Sequence, residues 1–292
     1  MEINSSQAVA ANADSAPGWP AGTTVSVLAE GFQFLEGPVW FPAAGGLVFS
    51  DIPADRMWLW TPGAGCRIFR EPSNHANGNT VDRQGRLLTC EHGGRRIVRR
   101  EADGSLTVLA DRYRGRRLNS PNDIAVDALG RIWFSDPPYG IRPEEQEQPA
   151  CYLFRLDPDG GLEAVADDFI KPNGLCFSPD GTVLYVSDTA NERHHIRRFQ
   201  VGPEGRLAGG EVLLTIAPGK SDGFRVDRFG RIWSSAGDGV WVVSPGGAVL
   251  ARIPVPEAPA NLCFGGGPAA DRLFITARTR LYALAVEPGV GL

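Results

Sequence analysis

The five cysteines form no CxxC pair and their number is odd, which is not the spacing of a zinc site. Cys66, Cys90, Cys151, Cys176 and Cys263 fall mostly in apolar runs such as "LLTCEH" and "GLCFSP". They read as small buried hydrophobes in a reducing compartment. Residues 1–23 lack a basic segment leading into an apolar one, so they read as a flexible leader and not as a secretory signal. No run reaches the roughly eighteen apolar residues of a membrane span. The expectation is a cytoplasmic protein with no membrane partner. Positive charge is short too. A net charge of −5 argues against a nucleic-acid surface, and the Arg-rich "GGRRIVRR" reads as a solvated strand face. No window carries a 3.6-residue apolar period, so no long helix is expected.

Glycine and proline are plentiful, at 36 and 23, without a collagen-like period, which implies many tight turns. A repeat organises them. "NGNTVDRQGRLLTCEH" begins at Asn77, "PNDIAVDALGRIWFSD" at Pro121, "PNGLCFSPDGTVLYVSD" at Pro172 and "SDGFRVDRFGRIWSSAGD" at Ser221. Looser copies begin at Glu36 and Ala260. Six copies at a period of roughly 40–50 residues are the mark of a solenoid or propeller. Each copy has a short alternating strand, a turn closed by Gly85, Gly130, Gly181 or Gly230, and a second strand rich in β-branched and aromatic residues. Two further strands follow. The reading is all-β: a six-bladed β-propeller with four antiparallel strands per blade, in a single domain over 24–292. The sixth copy is one strand short. Thr24–Glu30 supplies that strand and closes the ring beside Leu281–Val286, which hides two sheet edges.

In a propeller the inner strands all begin at one mouth of the central channel. Here those starts are Glu36, Asn77 and Asn79, Asn122, Asn173, Asp222 and Asn261. Every one is a carboxylate or an amide. Such oxygens suit a hard cation, with Glu36 and Asp222 balancing its charge and Asn122 and Asn173 adding neutral donors. Calcium is the expected ion; zinc, manganese or magnesium can substitute. A cation with open positions is a Lewis acid. The second strands return to the same mouth, at Asp51, Glu91, His92, Asp136, Tyr139 and Asp188. Asn77, Asn122, Asp136 and Tyr139 are candidate substrate contacts. His92 is a candidate proton shuttle. Asp82, Asp127 and Asp227 belong to the turns, and "EEQEQP" (144–149) reads as a loop over the mouth, a candidate lid. A lone Asn-Gly or Asp-Gly is usually a turn; the repetition at one blade position argues for a site.

At these residues the chain resembles the gluconolactonase/regucalcin family of calcium-dependent six-bladed propellers, in its bacterial sugar-lactonase branch. "EGPVW", "LNSPNDIAVDALGRIWFSDPPYG", "KPNGLCFSPDGTVLYVSDT" and "SDGFRVDRFGRIW" carry the likeness, which runs from about Glu30 to near the end. The resemblance implies Glu36, Asn173 and Asp222 as metal ligands, Asn122 beside them, and Asp222 as the acid/base. The regucalcin branch has an arginine where this chain has Ser120. The implied reaction is hydrolysis of a small sugar lactone by a monomer or weak homo-oligomer. Other readings stay open: a fluorophosphatase-like phosphotriesterase on the same metal site, a strictosidine-synthase-like propeller without a hydrolytic metal, and a binding propeller with no catalysis. Hydrolysis of phosphorus–fluorine substrates, metal content and metal-dependent esterase activity separate them.

Overall fold

The computed structural model describes residues 18–20 and 22–291. Alternating Val, Ile, Phe and Trp positions between glycine turns build six antiparallel sheets of four strands each. Blade one runs through Leu35–Phe41, Gly46–Asp51, Arg56–Thr61 and Gly65–Arg70. Blade two uses Ala76–Val81, Leu87–Glu91, Arg96–Arg100 and Leu106–Ala110. Blade three has Ile124–Val126, Ile132–Asp136, Cys151–Leu156 and Leu162–Phe169. In blade four the strands are Pro172–Phe177, Val183–Asp188, His195–Val201 and Leu207–Thr215. Blade five contains Phe224–Val226, Ile232–Ala236, Gly239–Val243 and Val249–Pro254. Blade six takes Asn261–Phe264, Arg272–Ala277 and Arg280–Ala285 from the C-terminal end, and Ser26–Glu30 from the other. The inner strands contact one another in blade order, and that of blade six meets that of blade one.

Closure is as the short sixth repeat implies. Ser26 pairs with Ala283 and Glu30 with Arg280, whose guanidinium also bonds the Glu30 carboxylate at 3.0 Å. The closing strand starts two residues later than Thr24. Part of the segment read as a leader is packed: Trp19 is buried between blades five and six, edge-on to Trp233 at 5.3 Å. Residues 1–17 lie outside the described residues.

The core is distributed. Six apolar clusters fill the six junctions between blades; Trp133 of blade three, for example, packs with Leu175, Leu184, Val186 and Phe199 of blade four. The turn glycines Gly85, Gly130, Gly181 and Gly230 all take positive φ, between 71° and 79°. Asp227 shows what the turn aspartates do. It accepts from the Phe229 and Arg231 backbone N–H groups at 2.9 Å, from Arg231 Nε at 2.7 Å and from Trp233 Nε1 at 2.9 Å. Asp127 repeats the pattern on Leu129, Arg131 and Trp133. The only helical segments among the described residues are three short 3₁₀ turns, and none could cross a membrane. The five cysteines are unpaired.

Candidate active site

The inner-strand starts do converge. Glu36, Asn77, Asn122, Asn173 and Asp222 line one cavity of about 340 Å³ with His92, Tyr139, Thr189, Lys220, Phe34, Ile52 and Pro53. The glycine after four of these residues explains the geometry. A Cβ on Gly37 would lie 1.9 Å from the Asn77 carbonyl oxygen. One on Gly78 would lie 2.4 Å from that of Asn122, and one on Gly174 2.3 Å from that of Asp222. The backbones of neighbouring blades touch there, and Gly78 N–H and Gly174 N–H donate to those same Asn122 and Asp222 oxygens, at 2.8 and 3.0 Å. In blades one, two and four the inner strand is bulged at this point. The bulge turns the polar side chain into the channel mouth.

Glu36 is buried at 4% exposure. Its Oε2 accepts from Gly37 N–H at 2.8 Å and from Asn261 Nδ2 at 3.1 Å, so Asn261 holds the carboxylate and does not line the cavity. Burial, and then the charge of Asp222, raise the Glu36 pKa well above the usual range. Asp222 is pushed up to about 7 by burial and by the Asp123 carboxylate, against the Asn173 hydrogen bond and the charge of Lys220. Burial raises the pKa of the Tyr139 hydroxyl to about 12, against the lowering influence of the Asn173 side chain. Tyr139 is joined to Thr189 by a short hydroxyl–hydroxyl contact. Beneath this layer Arg225 Nη1 lies 3.8 Å from Asp123 Oδ2.

His92 Nε2 faces Asn77 Nδ2 at 3.1 Å. Burial, with a smaller push from His75, lowers its pKa to about 4, so the imidazole is neutral at pH 7. With the Asn77 amide donating, the ring proton is assigned to Nδ1. Asn79 is a strut: it donates to the Gly37 and Asn77 carbonyls and to Ser50, and accepts from Thr89.

The ends of the second strands are otherwise occupied. Asp136, expected as a substrate contact, is not among the residues that line this cavity. It is buried, accepts from Asn119 N–H at 2.8 Å, and burial lifts its pKa to about 7. Asp51 accepts from Gln33 and Phe34 N–H, and Asp188 from Ile170 and Lys171 N–H. Glu91 is ion-paired with Arg70 and Arg96. Asp51, Asp136 and Asp188 so fasten the loops that enter the inner strands of blades one, three and four. Ser120 is buried, its hydroxyl between Pro137 O and Gly140 N–H. The 144–149 loop is pinned as well: Gln148 donates to three backbone carbonyls of 113–117, and Glu147 accepts from Arg117 N–H. Lys220, Thr189 and the apolar wall of Phe34, Ile52 and Pro53 escaped the sequence reading. Lys220 had one signal, its place two residues before Asp222.

Two carboxylates with raised pKa values, Glu36 lifted in part by the charge of Asp222, stand beside two amide oxygens and make an all-oxygen donor set fitted to a hard divalent cation. Among the described residues no three His, Cys, Asp or Glu side chains gather as a metal cluster, so the amides are needed to complete it.

Comparison with known proteins agrees with this architecture. The family described as "SMP-30/Gluconolactonase/LRE-like region" matches residues 34–279. A gluconolactonase of Zymomonas mobilis is 34% identical over 83% of this chain and 76% of its own. A pentonolactonase of Haloferax volcanii is 30% identical over 87% of this chain and 84% of its own. The solved structure of a gluconolactonase from Xanthomonas campestris superposes with a TM-score of 0.87 at 38% identity, covering 97% of this chain and 98% of that one. The chain belongs to the SMP-30/gluconolactonase/LRE-like family.

Proposed function

We propose that this protein is a lactonase that opens a small, hydroxyl-rich sugar lactone in the cavity around Asp222, with a divalent cation held by Glu36, Asn122, Asn173 and Asp222. Lactone hydrolysis rests on the family and on relatives named for that activity. The single observation that carries the site is the meeting of those four oxygen donors in one cavity. When bound, the cation, calcium by the hardness of these donors, supplies Lewis acidity toward the lactone carbonyl. The chain's own groups do the rest. Asp222 takes the proton of the attacking water as its oxygen bonds to the carbonyl carbon. It then returns the proton to the ring oxygen as the ester C–O bond breaks, leaving a hydroxy acid. Asn77 and Tyr139 hold ring hydroxyls. His92, neutral and facing Asn77, orients that amide.

A panel of five- and six-membered sugar lactones, assayed after chelation and after metal add-back, tests the reading. At saturating calcium, Asp222→Asn keeps an oxygen donor but loses the base. Turnover is expected to fall on the order of 10²-fold or more, with a much smaller change in KM. Near wild-type turnover in that variant would remove Asp222 from the chemistry.

A further inference from the structure

We propose that the lactone accepted here carries an anionic group on the carbon chain outside its ring, and that Lys220, with Lys171 at the rim, pairs with that group. This rests on the lactonase reading and narrows its substrate class.

Of the 29 Lys and Arg residues only two are lysines, and both stand at this one mouth. Lys220 lines the cavity. Its Nζ donates to Thr189 O at 2.7 Å and to Asn191 Oδ1 at 2.8 Å, both neutral acceptors. An ammonium has three donors, so one remains for a ligand. Lys171 Nζ lies 5.5 Å from the centroid of the Tyr139 ring, and Tyr139 joins Thr189, the residue that anchors Lys220. Among the described residues neither ammonium is ion-paired to a carboxylate. Arg131, Arg155, Arg197 and Arg231, by contrast, each have an acidic partner within 3 Å.

An ammonium is a compact, strongly hydrated charge, and ordering its long side chain at a cavity wall against neutral acceptors gains little. A ligand anion supplies the missing partner through a charge-assisted hydrogen bond. The charge balance points the same way. The charge of Lys220 otherwise acts on Asp222; a bound divalent cation would offset the Glu36 and Asp222 carboxylates and leave that charge for the ligand. A competing role is stabilisation of the carboxylate that every lactone acquires on opening. That role would act on all lactones equally, and the two can be told apart.

D-Glucono-1,4-lactone and D-glucaro-1,4-lactone share one ring and differ in a terminal CH₂OH against a terminal carboxylate. The ratio of their kcat/KM values is the readout. The wild type should favour the glucaro-lactone. Lys220→Met should lower the ratio roughly tenfold or more, mainly through KM of the anionic lactone. Lys220→Arg should keep the ratio near wild type, and Lys171→Met should lower it less. A melting curve establishes that each variant is folded. Equal loss on both lactones in Lys220→Met, or a wild-type preference for the neutral lactone, overturns the proposal. If the wild type opens neither lactone, the lactonase reading falls by itself. Calorimetric titration with the open-chain acids then decides the anion site. Tighter binding of glucarate than gluconate, lost in Lys220→Met, upholds it; equal binding overturns it.

Discussion

Glycine at the channel mouth acts through the room it leaves. Asn173-Gly174 and Asp222-Gly223 look like turn dipeptides, yet both sit where an inner strand begins. Neither glycine takes the positive φ that a tight hairpin requires; Gly37 alone of this set does, at 51°. A Cβ on Gly174 would also stand 2.9 Å from Gly223 Cα, so the obstruction is backbone and cannot swing aside. Gly174→Ala is therefore expected to push the Asp222 backbone outward. The cost should be about 1–3 kcal/mol of stability, the usual range for overpacking, with weaker calcium binding. Melting curves and calcium titration check both. Unchanged values in the two measurements would mean that the blades can part there without moving the site. The positions of Glu36, Asn122, Asn173 and Asp222 were legible because the repeat sets one register for all blades. The reason for the neighbouring glycine was not, since it lies in the approach of another blade.

At the scale of the element, the hairpin between first and second strands was read correctly because its chemistry is local. Asp227, Gly230, Arg231 and Trp233 lie within seven residues and satisfy one another. Asp227→Ala would leave the Arg231 guanidinium and the Trp233 N–H without this acceptor inside the sheet. Removing one partner of a buried pair costs about 3–5 kcal/mol, so a marked drop in melting temperature is expected with the cavity residues untouched. Asp227→Asn, which keeps an acceptor, should recover part of it. Equal melting temperatures for Asp227→Ala and the parent would show the turn to be held by Gly230 alone. The second-strand ends were read less well. Strand alternation brings Asp51, Asp136 and Asp188 toward the mouth. It cannot reveal that the loops at 33–34, 119 and 170–171 present their N–H groups to those carboxylates. That depends on the path of chain outside the repeat. Lys220 and Thr189 entered the cavity by the same route, from loops and not from strand starts.

For the whole molecule, the candidate cation site ties blades one, three, four and five across the channel, through Glu36, Asn122, Asn173 and Asp222. Ion binding and the stability of the ring should therefore be linked, with a pH dependence whose sign follows from the carboxylates. Without the ion the folded-state pKa of Asp222 is about 7 and that of Glu36 is also raised, against roughly 4 in an unfolded chain. An acid with a raised folded-state pKa favours the fold while it stays protonated. That contribution is present below about pH 4 and is lost as the pH rises through about 7. A cation needs the ionised carboxylates, so it competes with protons at acid pH and binds freely at alkaline pH. His92, lowered to about 4, and Asp127, lowered by its Trp133 and Arg131 hydrogen bonds against burial, titrate as well. Neither is among the four donors, so both largely cancel when melts with calcium and with chelator are compared at one pH. The rise in melting temperature on adding calcium should be small at pH 5.5 and several degrees at pH 8, since ligand at about 100 times Kd stabilises by about 2.7 kcal/mol. An equal rise at both values would mean that calcium binds through groups other than Glu36 and Asp222. No rise at either would remove the calcium assignment altogether.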